Sequence, residues 1–306
     1  MSTILITGGT GLIGTALTTL LKEKGHRVLI LSREPGPDNP DSFQWDHNKG
    51  FIDPAAIRQA DFIVHLAGAG VADKRWSKKR KEEIVESRTK TAALLVRALK
   101  DLPNRVQAVI SASGIGWYGP DPTIPNPRPF EEADPADGDF LGETCRLWEE
   151  AITPVTGLGK RLVILRTGLV LSKKGGALAE FRKPIRMGTA AILGSGRQVM
   201  SWIHMDDLCR IYCEAIDQNN WSGVFNAVAP HPVDNRALTL ALAKQLKGRY
   251  FVPIYVPTFL LKLIVGEMSI EVLKSTTVSA NKIRSAGFQF IYPSLDGALT
   301  DLVRRR

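Results

Sequence analysis

The stretch LITGGTGLIG, residues 5–14, leaves a chain few folds to adopt. It sits between a short β-branched run, TILIT (3–7), and a segment of helical periodicity, GLIGTALTTLLKEKGH (11–26). Gly9, Gly11 and Gly14 satisfy G-x-G-x-x-G, and Gly8, Gly11 and Gly14 recur at every third residue. In a strand–turn–helix the first glycines permit a tight turn. Gly11 lets the backbone approach a pyrophosphate without a Cβ, and Gly14 lets the helix pack close to the sheet. The helix N-terminus adds unpaired N–H groups and the positive end of a dipole. A dinucleotide phosphate suits this arrangement.

The rest of the chain repeats the alternation. RVLILS (27–32), FQWD (43–46), FIVHLAG (62–68), VQAVISAS (106–113) and RLVILRTGLVL (161–171) read as strands. RKEEIVESRTKTAALLVRALKDL and FLGETCRLWEEAI read as helices between them. Most of the strands are apolar throughout, which suits a parallel sheet buried on both faces. The expected fold is α/β, a doubly wound, mostly parallel Rossmann sheet with a smaller C-terminal cap on the substrate side. Residues 1–171, with parts of 200–230 returning to the sheet, are expected to form the cofactor-binding domain. Residues 172–200 and 230–306 are expected to form the substrate-side domain.

The end of the second strand discriminates between cofactors. An acid there would hold a ribose 2′-hydroxyl. Ser32 and Arg33 offer a hydroxyl and a guanidinium instead, which suit a 2′-phosphate. NADP(H) is therefore expected over NAD(H).

Bulk properties narrow the remaining classes. The net charge of +9 suits an anionic ligand. The densest basic stretch, DKRWSKKRKEEIVESR (73–88), carries Glu82, Glu83 and Glu86 close behind its bases and reads as a solvated helix face. With no zinc-finger spacing and no aromatic RNA-binding signature, a nucleic-acid role through residues 74–81 and Arg304–Arg306 is a minor reading. The three cysteines, Cys145, Cys209 and Cys213, lack CxxC spacing and read as small buried side chains, with no metal site expected. No apolar run is long enough to span a bilayer, so no membrane partner is expected. The first strand begins too early for a signal peptide, and a cytoplasmic location is expected.

TGGTGLIG, HLAG (65–68), SASGIGWYG (111–119), RTGLVL (166–171) and WIHMDDL (202–208) occur in this order. The series resembles the extended short-chain dehydrogenase/reductase superfamily of the NAD-dependent epimerase/dehydratase type. ADKRW, GSGRQ, FNAVAP and GEMSIEVLKS…AGFQF resemble its atypical YfcH-like branch, whose C-terminal domain of unknown function matches about 250–300 here. The resemblance spans essentially the full chain. It implies pyrophosphate contacts from Gly8, Thr10, Gly11, Leu12, Ile13 and Gly14, and a 2′-phosphate held by Ser32 and Arg33. It implies that Asp46 touches adenine, that Leu66 and Ala67 line the adenosine side and that Val170 lines the nicotinamide side. Glu83 and Arg88 would face the cofactor.

Hydride transfer to a carbonyl leaves an oxyanion that needs a proton. The superfamily supplies it with a Tyr-x-x-x-Lys helix and a nearby Ser or Thr. Ser113 matches the hydroxyl. The helix beginning FLGETC has Phe140 or Leu141 where the tyrosine is expected, and Thr144 or Cys145 where the lysine is expected. None of the five tyrosines has a lysine four residues on, so the pair has not moved. Tyr118, Cys145 and His204 are the candidate replacements. Each also has a packing role open to it: Tyr118 as a turn aromatic, Cys145 as a small buried thiol, His204 as a helix cap.

Two functions follow. One is an NADP(H)-dependent oxidoreductase or epimerase with an altered proton donor, acting on a small carbonyl or sugar-like substrate. The other is a non-catalytic NADP(H)-binding regulator, which suits a branch with members labelled cell-division inhibitors.

Overall fold

The computed structural model describes residues 1–36 and 39–304. Pro37, Asp38, Arg305 and Arg306 fall outside it, and with them most of the terminal basic run. The first half alternates: β1 (Thr3–Thr7), α1 (Leu12–Glu23), β2 (Arg27–Ser32), β3 (Ser42–Asp46), β4 (Phe51–Ile52), α2 (Pro54–Gln59), β5 (Phe62–His65), α3 (Lys78–Asp101), β6 (Ala108–Gly114), α4 (Phe140–Ile152) and β7 (Arg161–Thr167). The second half is more broken: β8 (Leu169–Leu171), α5 (Ala177–Arg186), β9 (Thr189–Leu193), β10 (Val199–Met200), β11 (Trp202–His204), α6 (Met205–Asp217), β12 (Gly223–Ala227), β13 (Val233–Asp234), α7 (Asn235–Lys247), β14 (Val252–Val256), α8 (Thr258–Val265), α9 (Ser269–Leu273), α10 (Asn281–Ser285) and α11 (Leu295–Val303).

Eight strands make the main sheet in the order β12-β7-β6-β5-β1-β2-β3-β4. All pairs are parallel except β3–β4. Chain order reverses at β1, which lies between β2 and β5. That reversal opens a crevice at the carboxyl ends of the strands, where open α/β sheets take their ligands.

The two-residue period of a strand sends alternate side chains to opposite faces. Ile4 and Ile6 face one core with Leu17 and Leu21 of α1 and Leu208, Ile211 and Tyr212 of α6. Leu5, Leu29 and Leu31 face the other with Ala56 and Ile57 of α2, Leu94 and Leu95 of α3, and Trp148 and Ile152 of α4. A third core joins Leu171, Trp202, Leu178, Leu238 and Leu242 to Leu295, Leu299 and Leu302. This is the smaller C-terminal layer.

The structure revises the sequence reading at one strand. RLVILRTGLVL is two strands. Residues 161–167 stay in the main sheet, while 169–171 pair with β11. The break falls at Gly168, where an added Cβ would collide with the Ser201 carbonyl oxygen and lie 2.8 Å from Val228 Cγ1. The basic stretch is also only partly a solvated face. Lys90 pairs with Glu86, but Arg80 is buried and turned towards the Gly70 carbonyl.

Asp207 ties the C-terminal layer to the sheet. Fully buried at the start of α6, it accepts the backbone N–H groups of Ile291 at 2.8 Å and Tyr292 at 2.9 Å, and the Arg210 guanidinium at 3.1 Å. Replacing Asp207 with alanine removes a fully buried carboxylate from two backbone N–H groups and a guanidinium, and unfolding in urea is expected to show a loss of about 3 kcal/mol.

Candidate functional site

The glycine loop is built as its composition requires. Gly8 has φ +68, and a Cβ there would lie 3.0 Å from the Leu66 carbonyl carbon. The Gly11 N–H donates to the Gly8 carbonyl at 3.0 Å. A Cβ on Gly14 would collide with that same carbonyl. Gly11 caps α1 with no side-chain hydrogen bond, and the first turn holds no acid. The turn's N–H groups therefore face the crevice without a side chain competing for them. Thr10 is exposed at the tip, and Leu12 and Ile13 are half-buried behind it. The cradle fits a pyrophosphate and leaves no room for a β-carbon.

Neighbouring segments complete the crevice. Leu66 and Ala67 follow β5, and both donate backbone N–H bonds of 3.1 Å to Thr7 Oγ1. Val170 lies in β8. The Gly175–Gly176 turn beyond it lies over α1, with a Cβ on Gly176 set 3.1 Å from the Leu12 side chain. On the adenosine side, Ser32 Oγ is engaged in a local turn with Glu34. Arg33 is exposed and, among the described residues, makes no ion pair. Asp46 Oδ1 accepts the N–H groups of Asn48 and Lys49, so that oxygen fastens a turn. Glu83 and Arg88 do not come together. Glu83 pairs with Arg80 at 2.7 Å. Arg88 turns towards Gly68, donates to the Ala69 carbonyl at 3.1 Å and sits 4.9 Å from the Trp148 ring centre.

The four proton-handling candidates occupy different surroundings. Ser113 stands at the carboxyl end of β6, as expected, but its hydroxyl donates to Glu149 Oε1 at 2.7 Å. Glu149 is held on both oxygens by Arg166, at 2.9 Å each. The Arg166 guanidinium also donates to the Tyr118 hydroxyl at 3.1 Å and lies 3.6 Å from the Trp117 ring centre. Sequence reasoning missed both ends of this ion pair. The signal was a lone charge inside the apolar strand RLVILRT, which a buried strand tolerates only when paired.

Tyr118 does not face the cleft. Its ring is fully buried, its hydroxyl donates to Asn226 Oδ1 at 2.8 Å, and burial pushes its pKa up to about 12. Cys145 is buried against the Gly114 carbonyl, 3.5 Å from its Sγ. Burial, then the Glu149 carboxylate, push that thiol up to about 11, far from the near-neutral value acid–base work needs. His204 is 2 % exposed and caps α6, its Nδ1 accepting the Asp206 N–H at 3.1 Å. These placements favour, for each of the three, the packing or capping role that the sequence left open beside the acid–base one. His204, Asp206 and Asp301 could bring ligand atoms within 4.8 Å of one another. However, Lys173 Nζ already lies 3.1 Å from Asp301, and the occupied Nδ1 leaves the ring proton on Nε2.

Cys145, Cys209 and Cys213 are all buried and free, and burial raises all three thiols. The native protein at pH 8 is expected to react with a colorimetric disulfide reagent at least about 100-fold more slowly than the unfolded chain, which should titrate all three. A rapidly labelled Cys145 would restore it as an acid–base candidate.

The description "NAD dependent epimerase/dehydratase family" matches residues 4–228, and a "Domain of unknown function (DUF1731)" matches 256–302. Epimerase family protein SDR39U1 of Mus musculus is 33% identical over 304 residues, covering 98% of this chain and 99% of the relative. Epimerase family protein YfhF of Bacillus subtilis (strain 168) is 33% identical over 306 residues, covering 99% and 98%. The crystal structure of human SDR39U1 (isoform2) with NADPH superposes with a TM-score of 0.87 at 32% identity, over 98% of this chain and 99% of that one. A nucleoside-diphosphate sugar epimerase from Corynebacterium glutamicum has a TM-score of 0.78 at 33% identity, over 99% of this chain and 58% of that one. With its glycine cradle, its strand order and matches spanning nearly its whole length, the chain belongs to the NAD dependent epimerase/dehydratase family, with a C-terminal DUF1731 domain.

Proposed function

We propose that the protein binds NADP(H) and acts as an oxidoreductase or epimerase-like enzyme on a small carbonyl or sugar-like substrate. In this reading proton handling has passed from a Tyr–Lys pair to Ser113 and Glu149. The observation that carries it is the 2.7 Å bond from Ser113 Oγ to Glu149 at the carboxyl end of a central strand.

The cofactor half rests on the cradle around Gly8, Thr10, Gly11, Leu12, Ile13 and Gly14, whose N–H groups hold the pyrophosphate. Ser32 and the exposed Arg33 hold the 2′-phosphate, and the NADPH complex of the human relative supports this choice. Asp46, Leu66 and Ala67 border the adenosine, and Val170 borders the nicotinamide. Arg88, held against the Ala69 carbonyl and the Trp148 ring, is the positive charge nearest this end of the crevice in this reading. Glu83 is the weakest of these assignments, because Arg80 already engages it. Residues 1–171 with parts of 200–230 carry the cofactor, and 172–200 with 230–306 face the substrate.

The crevice residues named above would hold NADP(H), which would supply or accept a hydride at its nicotinamide ring. The chain's own residues then move the proton. In alcohol oxidation the substrate hydroxyl gives its proton to Ser113 Oγ while the Ser113 proton passes to Glu149 Oε1. Carbonyl reduction runs the relay backwards. The two Arg166 bonds hold both Glu149 oxygens in place, so Oε1 stays directed at the Ser113 hydroxyl throughout the relay.

The second reading, a non-catalytic NADP(H)-binding regulatory protein, is favoured by the burial of Tyr118, Cys145 and His204. Turnover decides between the two. Substrate-dependent NADPH oxidation is expected to fall about 100-fold or more in Ser113→Ala, with the NADPH dissociation constant within about twofold of the parent. Turnover unaffected by that change would remove Ser113 from the mechanism, and a wide carbonyl and sugar screen without turnover would favour the regulator. Separately, fluorescence titration of Arg33→Ala is expected to show about tenfold weaker NADPH binding and nearly unchanged NADH binding.

A further inference from the structure

Nine of the large apolar side chains exposed in this protein fall within 21 residues. They are Tyr250, Val252, Ile254 and Tyr255 at β14, Phe259, Leu260, Leu263 and Ile264 on α8, and Ile270 on α9. Phe259 and Leu263 are 72 % and 71 % exposed. On α8, Phe259 with Leu263 and Leu260 with Ile264 form two adjoining i,i+4 rows, while Leu261 alone is buried on the opposite side. Among the described residues β14 pairs only with β9, so its second edge is open. Patches of this extent mark a surface that binds something.

The charge around the patch selects what it binds. From 235 to 266 the sequence holds five basic residues and no acid, and the two acids that follow, Glu267 and Glu271, are paired with Lys81 and Lys274. From 181 to 205 it holds four and no acid. Lys247, Arg249 and Lys262 are exposed within or beside the patch. Arg186 and the 81 % exposed Met187 adjoin it, because the next residue, Gly188, accepts the Val252 N–H. An apolar face bordered mainly by cations, with tyrosines at its edge, matches an interfacial membrane anchor.

We propose that β14 and α8 dock on the headgroup layer of an anionic lipid bilayer, Phe259, Leu260, Leu263 and Ile264 entering the acyl boundary. A second copy of the chain fits less well. A two-fold contact would set the same cations against themselves. Strand-to-strand pairing would also meet Pro253, the second residue of β14, which has no N–H to offer. Among the described residues no helix is long and apolar enough to cross a membrane, and lying on the surface does not require one. The sequence reading set membranes aside by looking only for spans. The inference does not rest on the cofactor or the reaction.

Flotation of the full chain with vesicles tests it. Phosphatidylcholine vesicles containing phosphatidylglycerol are expected to carry the protein up, and pure phosphatidylcholine vesicles to carry little. Added salt should weaken the binding. Phe259→Ser with Leu263→Ser, and separately Arg249→Ser with Lys262→Ser, should each lower the partition coefficient about tenfold or more. All four side chains are exposed, so both variants should keep the parent circular dichroism spectrum and melting temperature. The proposal is overturned if anionic vesicles fail to bind the parent at low salt, or if neither variant weakens binding. It is overturned equally if light scattering finds a dimer that the Phe259/Leu263 change splits.

Discussion

Two opposite charges buried side by side organise the middle of this molecule. Arg166 and Glu149 are almost wholly removed from water, and neither would be tolerable there without the other. Their contact joins β7, the strand next to the sheet edge, to α4. Through Ser113 it reaches β6, and through Tyr118 and Asn226 it reaches β12. Asn226 continues the chain of bonds outward, its N–H donating to Glu132 and its amide to the Ser279 carbonyl. The residues around the expected proton-transfer point are thus fixed by one satisfied network, in which a half-satisfied member would be costly.

That network alters the meaning of a missing catalytic pair. Had Tyr118 or Cys145 stood free, either could have been taken as a relocated acid. Both are instead absorbed into packing and hydrogen bonding, and burial moves both pKa values away from neutrality. What remains at the strand end is a hydroxyl whose only proton is directed at a carboxylate. The cofactor crevice shows the opposite character. No side chain caps the first turn of α1, and among the described residues Arg33 makes no ion pair, as suits a surface prepared for an anion.

The two halves of the site were unequally legible in the sequence, for a physical reason. Gly8, Gly11 and Gly14 act through backbone and through the absence of a side chain, so their spacing alone specifies the loop. Strand identity was readable where apolar β-branched runs were unbroken, as at β1 and β2. Side chains that act through distant partners left weaker marks. Ser113 with Glu149 is 36 residues apart, and Tyr118 with Asn226 is 108. His204 was readable as a cap because Asp206 lies two residues on. Thr7 was overlooked because a threonine in a strand usually only fills it, whereas here its hydroxyl receives both Leu66 and Ala67 amides. The split at Gly168 was hidden because the residues on both sides favour strands equally.

That split has a mechanical side. The Gly168 N–H bonds to Ala227 in the main sheet, and the next N–H, of Leu169, bonds to Ser201 beneath the C-terminal layer. One stretch of backbone is thereby riveted to both layers at consecutive residues. A swing of the outer layer away from the strand ends would have to shear one rivet or the other. Parting the layers at this joint costs at least one backbone hydrogen bond.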